Sequence, residues 1–330
     1  MSPIPIGIFA GSGGITLPGN VWTYYSSPLT NYGDVYYDRT FKKWYIVPSQ
    51  YSGNIYYSTD GSTWTSTRFV DFNGGKFSRT ATKLWVTAKY NTGGSAQNTM
   101  YYTTDGINFT QTTSPFSNAP GNPADDAYGF TVLNRGANNS GDAYAYSSNE
   151  GASWSQGYST PMDADTSGSG SAGNYAVFWD STRMYRYANG GLASNLALPS
   201  SNIGNYSYLP EDRLLYLWEY FTNQANRMWL FDGTTFTQLG LPLPQSNYFE
   251  SGISIGIVGE SIKPYEFLIN WASGYINTDA ARVWTPTYGF KYVLSYYPQP
   301  GGAAYSPDAN MYLTRSNNSN GTYYIMKSVG

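Results

Sequence analysis

The chain has 330 residues, of which only 12% are charged, and its formal net charge is −3. This balance gives no electrostatic attraction for nucleic acid or for an anionic membrane surface, so neither is an expected partner. There is no cysteine and no histidine, which excludes disulfides, thiolate chemistry and every histidine-based catalytic triad. No apolar run approaches the length of a transmembrane helix.

Residues 1–19 lie outside the repeat described below and are predicted to form an N-terminal docking arm. The residues expected to make the contact are Ile4, Ile6, Ile8 and Phe9, and proline or glycine separates the first three. In an extended chain the three isoleucine side chains share one face, which suits contact with a partner protein. A flexible leader and a secretory signal peptide are the alternatives, although the segment lacks the basic residues with which a signal peptide begins.

A repeated phrase begins after the arm, with copies at residues 56–65, 101–110 and 145–155. Each copy has a Tyr-rich segment, a short polar residue, an Asp or Asn, a Gly and an aromatic residue: Ser58, Asp60, Gly61 and Trp64; Thr103, Asp105, Gly106 and Phe109; Ser147, Asn149, Gly151 and Trp154. The polar side chains bond to nearby backbone groups and the glycine tolerates a positive φ. Each phrase therefore predicts a β-hairpin with a tight turn, after which the aromatic residue opens the next strand.

The same spacing continues toward the C-terminus in weaker copies. The last residues of the Tyr-rich strands are 41 to 48 residues apart: Tyr57, Tyr102, Tyr146, Tyr187, Phe231, Ile276 and Tyr324. One weaker copy keeps Asp232, Gly233 and Phe236, and another keeps Asp279 and Trp284 but has lost the glycine. An apolar strand is predicted before each hairpin, around Trp44, Trp85, Phe130, Phe178, Tyr216, Phe267 and Tyr312.

A repeat of about 44 residues with about four short strands has the size of a propeller blade. Seven such units over residues 20–330 predict one all-β domain, a seven-bladed β-propeller. Too few residues follow the seventh Tyr-rich strand to form its outer strand, whereas residues 21–24 have the aromatic and threonine pattern of one. Residues 20–28 are therefore expected to pair with the C-terminal strand and close the last blade, which removes an exposed sheet edge.

The three phrases resemble the Asp-box repeat, Ser/Thr-x-Asp-(x)-Gly-x-Thr-Trp/Phe, of sialidase-like and sortilin-like (BNR-type) propellers. Residues 58–64 match the shorter form, residues 103–109 match it with Phe109 in place of Trp, and residues 147–154 match the longer form with Asn149 in place of Asp. In that family the box is a structural turn on the blade rim, so the resemblance implies structural roles here. The box occurs in enzymes, receptors and virion proteins alike, so it implies a fold and not a function.

Enzymatic activity is not expected. Glycoside hydrolysis needs two carboxylates, or a tyrosine nucleophile with an acid, and the candidate acids are Asp34, Asp38, Glu219, Glu250 and Glu260. The resembled sialidases also hold their substrate with three arginines, one of them in an Arg-Ile-Pro motif. The chain has no such motif, and Arg39 and Arg68 lie in the first blade without that context. No catalytic residue is therefore assigned.

One loop has a weak resemblance to a metal site. The segment from Asp163 to Gly168 resembles the first half of a calcium-binding loop. An EF-hand loop requires a bidentate glutamate at its twelfth position, and Asn174 stands there instead. The segment is interpreted as a polar connector, and no metal or cofactor is assigned.

The expected function is binding. Long connections rich in Tyr, Ser, Gly and Asn form adaptable surfaces on a rigid scaffold, and the opening of residues 1–19 resembles the short leaders of tailed-phage structural proteins. These features predict a non-enzymatic structural or receptor-binding component of a virion, of the phage-tail type. It would be anchored to other virion proteins through residues 1–19, present its loops to a host-surface glycan or protein, and reside in the particle or outside the cell. A homo-oligomer within the assembly is compatible with this prediction. A secreted carbohydrate-binding or adhesion module and a glycan hydrolase are the alternatives.

Overall fold

The computed structural model describes residues 6–7, 21–29, 33–48, 52–71, 75–88, 98–116, 120–134, 143–158, 168–180, 182–201, 203–209, 213–219, 228–239, 255–258, 266–270, 281–285, 289–292, 303–306, 308–309, 311–317 and 323–329. These residues form 30 β-strands and contain no helix. The described part of the chain accordingly has no helix with the length and apolar character needed to cross a membrane.

The strands pair into seven sheets within the described residues. Two strands come first: β1 (Ile6–Gly7) and β2 (Val21–Ser26). The first sheet contains β3 (Gly33–Asp38), β4 (Lys43–Pro48), β5 (Gly53–Ser58) and β6 (Thr65–Val70). The second contains β7 (Lys76–Arg79), β8 (Leu84–Thr87), β9 (Thr99–Thr103) and β10 (Thr110–Thr113). The third contains β11 (Ala124–Asp125), β12 (Thr131–Asn134), β13 (Ala143–Ser147) and β14 (Ser155–Tyr158).

The remaining sheets follow in chain order. The fourth contains β15 (Gly168–Ala172), β16 (Tyr175–Trp179), β17 (Arg183–Ala188), β18 (Gly191–Leu192) and β19 (Leu196–Ala197). The fifth contains β20 (Ile203–Leu209), β21 (Leu214–Glu219), β22 (Met228–Phe231) and β23 (Phe236–Leu239). The sixth contains β24 (Ile255–Val258), β25 (Glu266–Asn270), β26 (Ala281–Thr285) and β27 (Gly289–Tyr292). The seventh contains β28 (Ala303–Ser306), β29 (Met311–Asn317) and β30 (Tyr323–Val329), and β2 and β1 complete it in the spatial order β1-β2-β30-β29-β28.

The second and fourth strands of a sheet differ in how deeply they are buried. In the first sheet, β4 is buried at every position from Trp44 to Pro48, whereas β6 is exposed at four of its six positions. In the second sheet, all four residues of β8 are buried and three of the four in β10 are exposed. A strand buried on both faces requires a continuous apolar run, which both second strands have. The sheets therefore stack face to face. The second strands are buried between neighbouring sheets, and the fourth strands lie at the exposed outer edge.

Apolar clusters join consecutive sheets. Tyr45 of the first sheet packs with Phe77 of the second, with ring centroids 5.8 Å apart. Comparable clusters lie between the second and third, third and fourth, and fourth and fifth sheets. A further cluster contains Trp44 of the first sheet together with Met311 and Leu313 of the seventh. The seventh sheet is therefore packed against the first.

The first strands of the sheets lie beside one another. β3 contacts β7, β11 contacts β15, and the series continues through β20, β24 and β28. The second and third sheets are joined by the N–H of Ala81, which donates to Oδ2 of Asp125 at 3.0 Å. β28 contacts both β24 and β3.

The N-terminal strand β2 belongs to the same sheet as the C-terminal strand. It pairs antiparallel with β30 over six residues, from Val21 opposite Val329 to Ser26 opposite Tyr324. This is the pairing expected for residues 20–28.

The arm contributes one short strand to the chain's own seventh sheet. Ile6 lies opposite Trp22 and Gly7 lies opposite Val21 in the antiparallel pairing of β1 with β2. Most of the arm lies outside the described residues, so its contact with a partner stays a prediction. The β1 pairing arises because β2 is otherwise an edge strand that offers free backbone groups.

The sixth sheet differs from the sequence prediction in register. Trp284 was expected to open the fourth strand after a turn at Asp279, but it lies in the third strand, opposite Phe267 and Phe290 of its neighbours. The earlier turns depend on a glycine with positive φ, such as Gly61 at 72°. That glycine is missing from this copy, so the pattern does not fix a turn before Trp284. Asp279 itself lies outside the described residues.

Candidate functional site

The two ends of the sheets differ in what they carry. In an antiparallel sheet, the turns after the first and third strands lie at the same end. We call this end the turn face. It carries the acidic turns, defined as residues 58–64, 103–109 and 147–154, and the inner turns, which join the first and second strands of each sheet. The opposite end, which we call the connection face, is where the segments from the second to the third strand and from one sheet to the next leave.

The first acidic turn is held by its own side chains. Ser58 Oγ accepts the N–H groups of Asp60 (3.2 Å) and Gly61 (2.8 Å), and its hydroxyl donates to Oδ1 of Asp60 (2.9 Å). The same Oδ1 accepts the N–H groups of Ser62 (2.8 Å) and Thr63 (2.7 Å). Oδ1 thereby satisfies the backbone donors of the turn, which have no partner in a strand ladder.

The second acidic turn repeats this arrangement. Thr103 Oγ1 accepts the N–H of Gly106 at 2.9 Å, and Asp105 Oδ1 accepts those of Ile107 and Asn108, both at 2.8 Å. The side-chain amide of Asn108 also donates to Oδ2 of Asp105 at 2.6 Å. Both carboxylate oxygens of this turn are therefore used within it.

The third acidic turn has an amide in place of the carboxylate. Asn149 Oδ1 accepts the hydroxyl of Ser147 at 2.8 Å and the N–H of Ser153 at 2.9 Å. Ser147 Oγ accepts the N–H of Gly151 at 2.7 Å. An uncharged oxygen is sufficient for these bonds, so the turn requires an acceptor at this position and not a negative charge.

Hydrogen bonds lower the pKa of both turn aspartates. For Asp60, partial burial raises the pKa, but the N–H groups of Thr63 and Ser62 outweigh it and hold the pKa well below its ordinary value. For Asp105, the side-chain amide and the N–H of Asn108 lower the pKa in the same direction. Each aspartate therefore stabilises the fold as a carboxylate.

We expect Asp60→Asn to leave stability at neutral pH nearly unchanged, because Asn149 performs the same role in the third turn. Asp60→Ala is expected to lower the free energy of unfolding by about 1–2 kcal/mol, since it removes the acceptor of several backbone donors. The lowered pKa means that the carboxylate's contribution is present above the ordinary value near 4 and is lost as pH falls through the folded-state value. Urea unfolding of the three proteins between acidic and neutral pH measures this. A pH dependence in Asp60→Asn as steep as in the parent chain would contradict it.

Each acidic turn packs on the sheet before it. The hydroxyl of Tyr45 donates to the carbonyl oxygen of Gly106 at 2.9 Å, and a Cβ on Gly106 would lie 2.7 Å from Cγ of Phe41. Gly61 approaches Leu313 and Gly151 approaches Trp85 in the same manner. The aromatic residues of the turns lie in or against the clusters between sheets: Phe109, Trp64 and Trp154. These residues hold neighbouring sheets together.

The inner turns carry ion pairs that join neighbouring sheets. Asp38 at the end of β3 and Arg79 at the end of β7 are both buried, and Oδ2 and Nη1 are 3.4 Å apart. Asp38 Oδ1 also accepts the N–H of Phe41 at 2.8 Å, and the Arg79 guanidinium lies 4.7 Å from the centre of the Phe41 ring. Burial raises the pKa of Asp38, and Arg79 opposes that shift.

Asp125 forms the largest of these links, because it contacts three other sheets. Its Oδ1 accepts the hydroxyl of Ser171 at 2.8 Å, and its Oδ2 accepts the N–H of Ala81. Arg213 of the fifth sheet lies 3.5 Å from Oδ1 and donates to the carbonyl oxygen of Asp125 at 2.8 Å. Burial raises the pKa of Asp125, opposed by the Ser171 hydroxyl and by Arg213. The second to fifth sheets are thus joined around one carboxylate.

Another polar contact joins the seventh sheet to the first. The hydroxyl of Tyr37 donates to Oδ2 of Asp308 at 2.8 Å, and Lys42 lies 3.8 Å from Oδ1 of the same residue. Burial is the main cause that raises the pKa of Tyr37 to about 12. The Tyr37 hydroxyl therefore remains a hydrogen-bond donor at neutral pH.

The weaker copy of the repeat in the fifth sheet, residues 232–236, keeps part of the hydrogen-bond pattern of the acidic turns. Asp232 Oδ1 accepts the N–H groups of Thr234 and Thr235, both at 2.8 Å. Gly233 has a φ of 100°, and Phe236 stacks on Phe231 with centroids 4.4 Å apart.

The residues considered for chemistry do not come together in the described part of the chain. Asp34 Oδ2 accepts the N–H of Phe77 at 3.4 Å, and Asp38 faces Arg79. Arg68 is on the outer strand β6, where it donates to Gln111 at 3.2 Å. Arg39 lies in an inner turn, and Glu219 ends β21. Ile4, Ile8, Phe9, Glu250, Glu260 and residues 163–167 lie outside the described residues. Among the described residues no three acidic groups are placed to hold a metal ion.

Sequence reasoning missed the residues of the links between sheets, namely Arg79, Asp125, Ser171 and Arg213. A signal for two of these links was present. Asp38 and Arg79 are 41 residues apart, and Asp125 and Ser171 are 46 apart, which is the spacing of the repeat. Polar residues one repeat apart at the ends of first strands are therefore candidates for contact.

Comparisons with known proteins indicate the fold and no more. No protein-family model and no curated protein sequence matches the chain. A chain in the crystal structure of a mitotic checkpoint complex is similar over 98% of this chain and 99% of its own length, with a TM-score of 0.59 and 9% identity. The SapL1 lectin in complex with alpha methyl fucoside covers 79% of this chain and 94% of its own, with a TM-score of 0.46 and 14% identity; at that score it carries no argument. The architecture is all-β and propeller-like.

Proposed function

We propose that the seven sheets are the blades of a closed seven-bladed β-propeller. The support is that β28 contacts both β24 and β3, that one apolar cluster contains Trp44 and Leu313, and that Tyr37 bonds to Asp308. In this proposal β2 closes the last blade as its outer strand, through its pairing with β30. Each sheet buries its faces against its two neighbours, so a ring of sheets leaves no large face exposed.

The acidic turns are, in the same proposal, Asp-box turns of the BNR type. The hydrogen bonds of Ser58 and Asp60, repeated by Thr103 and Asp105, support this assignment. Their role is to hold a blade against the blade before it, as the contact of Tyr45 with Gly106 does.

The function that follows is non-enzymatic binding. The protein acts as a structural or receptor-binding component of a virion, of the phage-tail type, anchored through residues 1–19 and presenting the connection face to a host-surface glycan or protein. One observation carries this proposal: the carboxylates of Asp60, Asp125 and Asp38, in an acidic turn and beside the inner turns, are engaged in contacts within the chain. The turn face thus serves assembly of the fold, which leaves the connection face for a partner.

Removal of residues 1–19 tests this function. The shortened chain, residues 20–330, keeps β2 and is expected to fold, because the β1 pairing is the one sheet contact of the arm among the described residues. We expect it to fail to enter virions in a complementation assay while its circular dichroism and unfolding midpoint stay close to those of the full chain. Normal incorporation of the folded, shortened chain would contradict anchoring by the arm.

A carbohydrate-binding or adhesion module is the second candidate. Tyr128 favours it, because this side chain is 55% exposed in an inner turn, where an aromatic ring can stack on a sugar. In that case the chain of residues 20–330 retains glycan binding, since the arm is not needed. The hydrolase alternative predicts turnover of glycans in the same assay, which the engaged carboxylates of Asp34 and Asp38 do not favour.

A further inference from the structure

The strand β1 adds little pairing to the seventh sheet. It consists of Ile6 and Gly7, which lie opposite Trp22 and Val21, whereas β2 runs on to Ser26. A strand of two residues is shorter than most strands in proteins and makes few backbone bonds. We therefore expect the pairing of β1 with β2 to open and form again readily.

The sequence around β1 allows pairing along one edge only. Proline has no N–H, and Pro3 and Pro5 alternate with Ile4 and Ile6. In an extended segment, alternate N–H groups point to the same edge. The edge of Ile4 and Ile6 keeps its donors, while the edge of Pro3, Pro5 and Gly7 keeps only the N–H of Gly7. An arm of this sequence can therefore join one sheet edge, and it presents a poor edge to any further strand.

The connection between β1 and β2 is much longer than a hairpin needs. Residues 8–20 separate the two strands, and four of these 13 residues are glycine. A hairpin loop usually has two to five residues. Thirteen residues reach up to roughly 45 Å when extended, so β1 can reach a β2 edge that belongs to a different molecule.

We propose that the arm exchanges between copies, so that β1 of one chain pairs with β2 of a second chain. The contacts are the same in both forms, which makes exchange of an identical element a route to association with little cost. Within one chain the arm has an effective concentration in the millimolar range. Exchange becomes favourable where copies are held together at comparable local concentration, as in an assembly. A second copy of the chain is then the partner of the arm, and this inference rests on the docking role proposed above for residues 1–19.

The absence of cysteine makes a direct test possible. Gly7→Cys and Val21→Cys introduce thiols at positions that lie opposite each other in β1 and β2, within the Cα separation that a disulfide accepts. A chain with both substitutions is expected to form an internal disulfide. When chains with one substitution each are mixed under oxidation, own-chain pairing cannot form that bond. Exchange then gives a disulfide-linked pair of one chain of each kind, in a yield that rises with protein concentration.

The matched control replaces Val21→Cys by Ser66→Cys, an exposed position on the outer strand β6 of another sheet. We expect the Gly7→Cys and Val21→Cys mixture to give several-fold more mixed disulfide than this control. A yield equal to the control at every concentration overturns exchange, and so does a doubly substituted chain that forms no internal disulfide. The assay uses the purified chain alone, so its failure is distinct from failure of docking, which is measured by virion incorporation of residues 20–330.

Discussion

Arg79→Met is expected to lower the free energy of unfolding at neutral pH by about 3–5 kcal/mol, because it leaves the buried Asp38 carboxylate without its guanidinium partner. Asp38 keeps the N–H of Phe41 in this variant, so the loss is specific to the ion pair. Urea unfolding at neutral pH measures it. A loss below about 1 kcal/mol, the size of an exposed ion pair, would contradict the account.

Replacement of both partners separates charge from packing. Asp38→Asn combined with Arg79→Met should recover much of the stability lost in Arg79→Met, since no buried charge then remains. Arg79→Met alone leaves the buried Asp38 carboxyl, whose pKa burial already raises. A raised pKa means that stability is greatest when the group is protonated and is lost as pH rises through the folded-state value. Arg79→Met should therefore be less destabilising at acidic pH than at neutral pH.

Gly106→Ala is expected to lower the free energy of unfolding by about 2–5 kcal/mol. The added Cβ would lie 2.7 Å from both Cγ of Phe41 and the hydroxyl oxygen of Tyr45, and the residue has a φ of 73°. The left-handed backbone costs an alanine about 1–2 kcal/mol, and crowding in a packed site adds about 1–3 kcal/mol. The hydrogen bond from Tyr45 to the carbonyl oxygen of Gly106 would be strained as well.

Gly129→Ala is the matched control for this substitution. Gly129 also has a positive φ, 92°, but a Cβ added there would have no atom within 4 Å. It should show the backbone part of the loss without the crowding part. Equal losses for Gly106→Ala and Gly129→Ala, measured by thermal or urea unfolding, would show that the acidic turn is not packed against Phe41 and Tyr45.

The repeat made most of the strand positions predictable. Trp44, Trp85, Phe178, Tyr216, Phe267 and Tyr312 all lie in second strands, as expected. Local rules suffice there, because a buried second strand needs an apolar run and an acidic turn needs a short acceptor and a glycine. Phe130 is an exception, since it lies in the inner turn immediately before β12 and packs beside Tyr146 and Tyr187.

The sequence was less informative where structure depends on distant residues. Asp38 of the first sheet pairs with Arg79 of the second, and Asp125 of the third sheet bonds to Ser171 of the fourth. Because the partners lie in different sheets, the residues next to Asp38 and Asp125 in the sequence do not identify them. In the sixth sheet the lost glycine left the register of Trp284 open, and the structure places it in the third strand, opposite Phe267. The binding role of the connection face likewise stays a prediction, because it depends on a partner's chemistry.

The turn face and the connection face differ in the contacts that the described residues make. Contacts such as Asp60 with its own turn and Asp125 with three sheets stabilise the turn face internally. Because these contacts hold the turn face together, we expect the connections at the opposite end to tolerate sequence changes without loss of the fold. This difference is the physical basis for proposing that the protein binds and does not catalyse.

A crystal structure of the full chain is the measurement that tests the closed ring most directly. The account predicts seven sheets around one axis, with Thr23 opposite Lys327 in the sheet that contains both ends of the chain. Any other number of sheets, or the two strands of that pair in separate sheets, would contradict it.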